Sequence, residues 1–407
     1  MPTDPEHCMA SSMPGPRLTN IDTLRGGVMI LMALDHIRDF FDASAMSFSP
    51  TDLGKTTVAL FFTRWITHFC MPVFMFTAGT GAFLWWRRSG RTKGQLAKFL
   101  WTRGAWFIFL ELTVMQIAYD FNIPTRFQIY LLILWIFGFC MIVMAGLIYL
   151  RTAWLLVFSI SVIVLHNCLG GITAADFGSG GWFWNLIHQP GVIKMAGKSL
   201  LVPYTLLPWV AVMTAGFCFG QVFEWQPAAR QKLMRLIGFG AVIVFLILRS
   251  INLYGDPAPW SKQKSGVFTV LSFLNTTKYP ASLDFLLMTL GPALLVLAYF
   301  DRHPPKVSNA VVIFGRVPLF YFILHFYLIH LLAVMAALLR YGAAAFSFMF
   351  NPLPSMKGPR QLFPKDFGYS LPVTYMVWII VVALLYPLCR WYARVKSESR
   401  SPWLSYL

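Results

Sequence analysis

Four titratable side chains, Asp35, His36, Arg38 and Asp39, fall in the last two turns of an otherwise apolar stretch, LMALDHIRDFF at positions 31–41. An imidazole with an ordinary pKa of about 6.5 takes and returns protons near neutral pH, so His36 is the natural general base for activating an amine or hydroxyl. A carboxylate would have to orient it. Asp35 is its neighbour in sequence but points about 100° away around a helix, so Asp39 or a carboxylate from another helix is the better partner. Asp35 and Asp39 are four apart with Arg38 between them, and the three can also form a local ion-pair set.

The element that carries these groups has to be a membrane helix. Of the chain's 407 residues 57% are hydrophobic and only 12% charged, and the mean hydropathy is +0.62. A bilayer solvates that much apolar surface, provided every backbone polar group is satisfied inside a helix or a closed barrel. The apolar runs are about 20 residues long and continuous, which favours helices over alternating barrel strands. Ten such runs are expected, near 21–41, 57–86, 97–119, 127–149, 152–169, 200–223, 233–253, 281–300, 309–339 and 371–392, within a range of nine to eleven spans. The second and ninth are over-long and contain Pro72 and Pro318, which predicts a kink or an extra short helix in each. The fold class read from the sequence is therefore an all-α polytopic bundle. Residues 1–16 are expected as a disordered cytoplasmic tail, 17–395 as one transmembrane domain and 396–407 as a second cytoplasmic tail.

An even number of spans puts both termini on one side, and Lys and Arg decide which. The connection WRRSGRTKGQLAKFLWTR (86–103) alone carries six of the chain's 33 basic residues, the signature of a cytoplasmic loop. The net charge of +17 then matches an anionic inner leaflet and calls for no nucleic acid. Oriented this way, the intramembrane polar groups gather on the opposite side: Asp35 to Asp39, His68, Glu111, Asp120, His166 with Asn167, Arg249 with Asn252, Lys278, Asp284, His325 and His330. Each is costly among lipid tails, and packing histidines would scatter over both leaflets, so an outward-opening aqueous cavity is expected. The six cysteines are dispersed without CxxC spacing, and no HExxH pair occurs; no metal is expected. GxSxG, Walker and dinucleotide motifs are lacking as well.

The stretches RLTNIDTLRGGVMILMALDH (17–36) and HFCMPVFMFTAGTGAFL (68–84), followed in order by LLPWVAVMTAGFCFG, LRSINLYGDPAPW, LNTTKYPASLDFLLMTLGP and GRVPLFYFILHFYLIHLL, resemble the bacterial branch of the heparan-α-glucosaminide N-acetyltransferase catalytic-domain family over roughly residues 17–395. The spacing of IDTLRG to His36 also resembles the first helix of a broader family of membrane acyltransferases that modify cell-surface glycans. The resemblance implies transfer of an acetyl or other acyl group from a coenzyme A thioester on the cytoplasmic side to an amine or hydroxyl opposite. This sequence departs from the lysosomal member, whose proposed catalytic His follows the first helix: TTVALFF (56–62), the matching stretch here, holds no histidine, and His36 stands where that helix has Asn.

On that reading His36, with Asp35 and Asp39 beside it and His68 as a donor to the oxyanion, is the catalytic group. Arg25, eleven residues or about 16 Å before His36 along a helix, would bind acyl-CoA with Arg316 and His325. Arg38, His166, Asn167, Arg249, Asn252, Lys278 and Asp284 would bind a glycan or aminosugar acceptor. The expected setting is a bacterial inner membrane, with membrane lipids around the chain and room for a homodimer. A proton-coupled transporter would also use His, Asp and Glu inside the membrane, but the two halves of the chain show no repeat of the kind many transporters carry.

Overall fold

The computed structural model describes residues 18–88, 90–122, 128–195 and 197–399. The tail expected at 1–16 and the segment after Ser399 lie outside the described residues.

The first run is one continuous helix, α1 (Thr19–Phe41), and most of its side chains are buried. The second run is two helices, α2 (Val58–Thr67) and α3 (Cys70–Arg88). Thr57 caps the first, accepting from the Leu60 amide, and the break falls at His68–Phe69, just before Pro72. Then come α4 (Lys93–Leu110), a π-helical turn Glu111–Met115, and α5 (Gln116–Asp120). The expected helix at 127–149 begins later: Gln128–Tyr130 is a strand, β1, and α6 covers Ile133–Leu147. Helix α7 (Thr152–Leu165) leads through 3-10 turns to α8 (Gly181–Ile187) and to the hairpin β2 (Gly191–Met195) and β3 (Lys198–Val202).

β3 lies between its antiparallel partner β2 and the parallel β1. The described chain is mostly helical, as expected, and this small sheet is an addition to the all-α reading. β1 lies in the connection from α5 to α6, and β2 and β3 lie in the one from α8 to α9, where two five-residue strands flanking Gly197, at φ +74°, pair as a hairpin.

The remaining helices are α9 (Leu206–Phe219), α10 (Pro227–Ile251), α11 (Gly266–Leu274), α12 (Leu283–Arg302), α13 (Ala310–Arg316), α14 (Pro318–Tyr341) and α15 (Leu371–Glu398). The over-long ninth run divides at Val317, with Pro318 opening α14, where a proline's missing amide hydrogen costs nothing. Among the described residues, seven segments are long and apolar enough to cross a membrane: Val58–Arg87, Thr152–Gly171, Leu206–Glu224, Pro227–Ile251, Leu283–Arg302, Pro318–Ser347 and Leu371–Glu398.

Side-chain contacts set the relative directions. Arg25 meets Thr77, and Cys70 donates to the Val28 carbonyl; Trp378 donates to the Ile30 carbonyl and the Tyr369 amide to that of Phe41. So α3 and α15 run against α1. His36 meets His325, and Phe40 meets His330, so α14 runs with it. The same kind of contact makes α4, α7 and α10 parallel to α1, and α6, α9 and α12 antiparallel. At the centre the backbones of α1 and α13 touch: a Cβ on Gly26 would lie 1.8 Å from the Val311 carbonyl oxygen, and one on Gly315 1.8 Å from that of Asp22. Leu156, Ile160, Ile243, Ile247, Ile379 and Leu384 point outward from α7, α10 and α15, an apolar belt suited to lipid.

Candidate active site

The C-terminal end of α1 carries an ion-pair network whose key partner comes from α2. Arg64 donates through Nη1 to Asp35 Oδ2. Arg38 Nη2 lies 3.1 Å from Asp35 Oδ1 and 2.6 Å from Asp39 Oδ1. The i, i+3 spacing of Asp35 and Arg38 lays them on one face, and α2 delivers the second guanidinium across the gap. Asp35 is therefore committed to two arginines. Asp39 is the carboxylate nearest the imidazole, with Oδ2 4.0 Å from His36 Nδ1. His36 and Asp39 keep 15% and 22% of their side-chain surface open, so this end of α1 is reached by solvent, while His36 Nε2 is buried without a partner.

Other helices close round the imidazole. Its ring centroid lies 4.1 Å from Phe326 and 5.2 Å from His325, both on α14. His325 faces the Tyr321 carbonyl through Nδ1 at 3.1 Å, so that nitrogen carries the proton and Nε2, buried and without a partner, carries the lone pair. His68, at the break after α2, packs 5.4 Å from Phe285 with Nδ1 unpartnered. Tyr119 stands against Phe326 and donates to Glu111 at 2.7 Å, and the other Glu111 oxygen accepts from the amides of Leu134 and Trp135. A carboxylate in the π-turn thus caps the start of α6, as a negative group at a helix N-terminus should. Lys278, from the loop before α12, is within electrostatic range of Asp35, His36 and His68.

A cavity of about 290 Å³ lies between α1, α3, α4, α6 and α14. Arg25, Met29 and Met32 line it along α1, and Phe322 along α14. Arg25, Met29, Met32 and His36 are spaced 4, 3 and 4 residues apart, a single stripe on one helix face. The cavity wall therefore points along α1 at the imidazole, and Phe322, 5.5 Å from His325, marks the same line on α14. Two guanidiniums, Arg25 and Arg103, line the cavity with Trp85 and Phe99. The two rings stack at 4.1 Å, and Arg91 lies 3.8 Å over Trp85.

Not every residue expected at the site joins this cluster. Arg249 is buried and donates to the carbonyls of Ala258, Ser272, Phe273 and Asn275, with Asp256 and Asp284 each 4.0 Å away. Asn252 pairs with the Trp260 backbone. Arg249 and Asn252 thus spend their donors on the connection between α10 and α12, while Asp284 sits beside Arg249 with Oδ1 buried and unpartnered. His166 and Asn167 line a separate pocket of about 130 Å³ with His188 and Ser282; burial holds the His188 imidazole below its usual pKa. Arg316 reaches toward the Ala393 carbonyl at 3.4 Å, and Arg103 stands in the cavity with Arg25 in its place. Arg64 and Arg103 were the residues that sequence reading missed. Each looks like an ordinary interfacial arginine until the neighbouring helix is in place. Among the described residues, no three of His, Cys, Asp and Glu converge as metal ligands would.

Fold and site together define a helical integral membrane protein whose half-buried histidine, with its carboxylates, lies one helical turn beyond an apolar, arginine-lined cavity. Residues 17–254 match the family described as heparan-alpha-glucosaminide N-acetyltransferase, catalytic. The chain belongs to that family of membrane acetyltransferases. The match covers α1 to the end of α10 and so includes Asp35, His36, Arg64 and Arg103, while Lys278 and His325 lie beyond it. No curated protein matches the chain.

Proposed function

We propose that the protein transfers an acetyl or other acyl group from acyl-coenzyme A, taken from the cytoplasm, to an amine or hydroxyl of a glycan or aminosugar on the opposite face of a bacterial inner membrane. It does so as a ten-span bundle with both termini cytoplasmic. The strict alternation of helix direction and the basic connection at 86–103 support that topology. The observation that carries the function is the single stripe on α1, with a guanidinium in a methionine-lined cavity at one end and a solvent-reached imidazole at the other.

The residues fit such a donor. Arg25 and Arg103 match phosphates in charge and geometry, the Trp85–Phe99 stack walls the cavity beside them, and Met29, Met32 and Phe322 suit a flexible apolar arm. About 16 Å along the helix separates Arg25 from His36, a span for the pantetheine arm. His36 takes the proton from the acceptor as its nitrogen or oxygen bonds to the thioester carbon. The carbon–sulfur bond breaks, and His36 returns the proton to the departing thiolate. Asp39 orients the imidazole and stabilises its charged form. His68 is placed to donate to the oxyanion.

The test is transfer of radiolabel from acetyl-coenzyme A to a panel of aminosugars and glycans by the purified protein in lipid nanodiscs, with His36→Ala alongside. Loss of a general base lowers the rate by about 10²- to 10⁴-fold. Full activity in the variant removes His36 from this role. Counterflow of an unmodified solute with no transfer to any acceptor replaces the enzyme with a transporter.

A further inference from the structure

Lys278 has only 8% of its surface open, and among the described residues its ammonium forms no direct ion pair with a carboxylate. Two aromatic rings flank it, Tyr279 with its centroid 5.3 Å from Nζ and Tyr204 at 6.0 Å. The phenols of these tyrosines meet at 3.3 Å, and Tyr279 is 37% exposed, so the lysine stands behind a tyrosine that faces outside. The carboxylates in range are already taken, Asp35 by Arg64 and Arg38, and Asp39 by Arg38. Three cations thus share two carboxylates beside His36.

An ammonium held largely out of water, with only a share of two carboxylates that arginines already occupy, is costly to keep there, and a ring face repays part of that cost. The loop nevertheless holds Lys278 in place from both sides: Asp256 accepts from the Thr277 amide, the Thr277 hydroxyl and the Ser282 hydroxyl at 2.7, 2.8 and 2.6 Å, and Ser282 caps α12 by accepting from the Phe285 amide. A loop tied down in this way, presenting a cation within electrostatic range of Asp35, His36 and His68 where cations outnumber carboxylates, is suited to receive an anion.

We propose that Lys278, framed by Tyr204 and Tyr279, is the subsite for an anionic group of the acceptor, a carboxylate or a phosphate, which it holds beside His36 while the amine or hydroxyl reacts. This rests on the acyl-transfer reading and narrows its acceptor class to charged sugars. Lys278 positions the acceptor and takes no proton in the reaction.

The experiment uses the full chain in nanodiscs with acetyl-coenzyme A and three acceptors of one ring type: methyl glucosaminide, which lacks an anionic group, glucosamine 6-phosphate and muramic acid. At least one anionic acceptor is expected to have a KM about tenfold or more below that of the methyl glycoside, and which one it is separates phosphate from carboxylate. Lys278→Met is expected to raise that KM about tenfold, to leave kcat within about twofold and to erase the preference, whereas Lys278→Arg keeps it. Thermal stabilisation of the same proteins by each sugar alone reads binding without transfer, and melting without sugar checks that both variants fold. Equal KM for all three acceptors, unchanged by Lys278→Met, overturns the subsite and leaves acyl transfer standing. Stabilisation by an anionic sugar that needs Lys278, with no transfer to anything, keeps the subsite and overturns acyl transfer. Stabilisation indifferent to sugar charge and to Lys278, with no transfer, overturns both.

Discussion

Replacing Arg64 by Met tests whether the network at the end of α1 is a coupled unit. The substitution keeps the length and apolar stem of the side chain and removes one of two cations from Asp35, whose side chain is only 11% exposed. Stripping a partner from a buried ion pair costs about 3–5 kcal/mol. Here Arg38 remains, 3.1 Å from Asp35 but shared with Asp39 at 2.6 Å, so the lower end, about 3 kcal/mol, is the expectation. At about 2 °C per kcal/mol, the low end for large domains, the melting temperature falls by about 6 °C. Asp35→Asn alone leaves two guanidiniums facing each other and is expected to cost a similar amount. The double variant removes charge from both sides, so its loss should fall short of the sum by at least about 1 kcal/mol. The assay is thermal unfolding of the four proteins in one detergent, followed by tryptophan fluorescence. If the two single effects add within about 0.5 kcal/mol, the pair is not coupled and the network does not organise the site.

Met32→Trp places an indole where the cavity approaches His36; KM for acetyl-coenzyme A is expected to rise at least tenfold while the melting temperature changes little, measured by initial-rate kinetics and unfolding. Arg103→Met removes one of two guanidiniums from the cavity and should weaken acyl-coenzyme A binding about tenfold, about 1.4 kcal/mol, with a shallower salt dependence of the dissociation constant in titrations from low to high ionic strength. Gly26→Leu sets a side chain where even a Cβ would lie 1.8 Å from the Val311 oxygen. Helices α1 and α13 would have to part, and the folded yield by size-exclusion chromatography is expected to collapse.

What the sequence disclosed and what it hid divide along a physical line. Hydropathy is a property of a segment taken alone, so the positions of α1, α7, α10, α12 and α15 were readable, as was the break at Pro318, where the cause is local to the proline ring. The strands β1, β2 and β3 were not, because three residues such as Gln128–Tyr130 acquire their conformation from a partner 71 residues away, Ser199–Leu201. The site divides in the same way. His36, Asp35 and Asp39 announce themselves because charge inside an apolar helix is costly wherever that helix goes. The i, i+3 relation of His36 to Asp39 likewise follows from helix geometry alone. The distinction between Arg249 and Lys278 depends on neighbours: both are buried cations from the same end of the bundle, yet one finds four carbonyls in its own loop and the other finds two tyrosine faces. A sequence records the cost of burying each charge, and only the packed structure records how that cost is met.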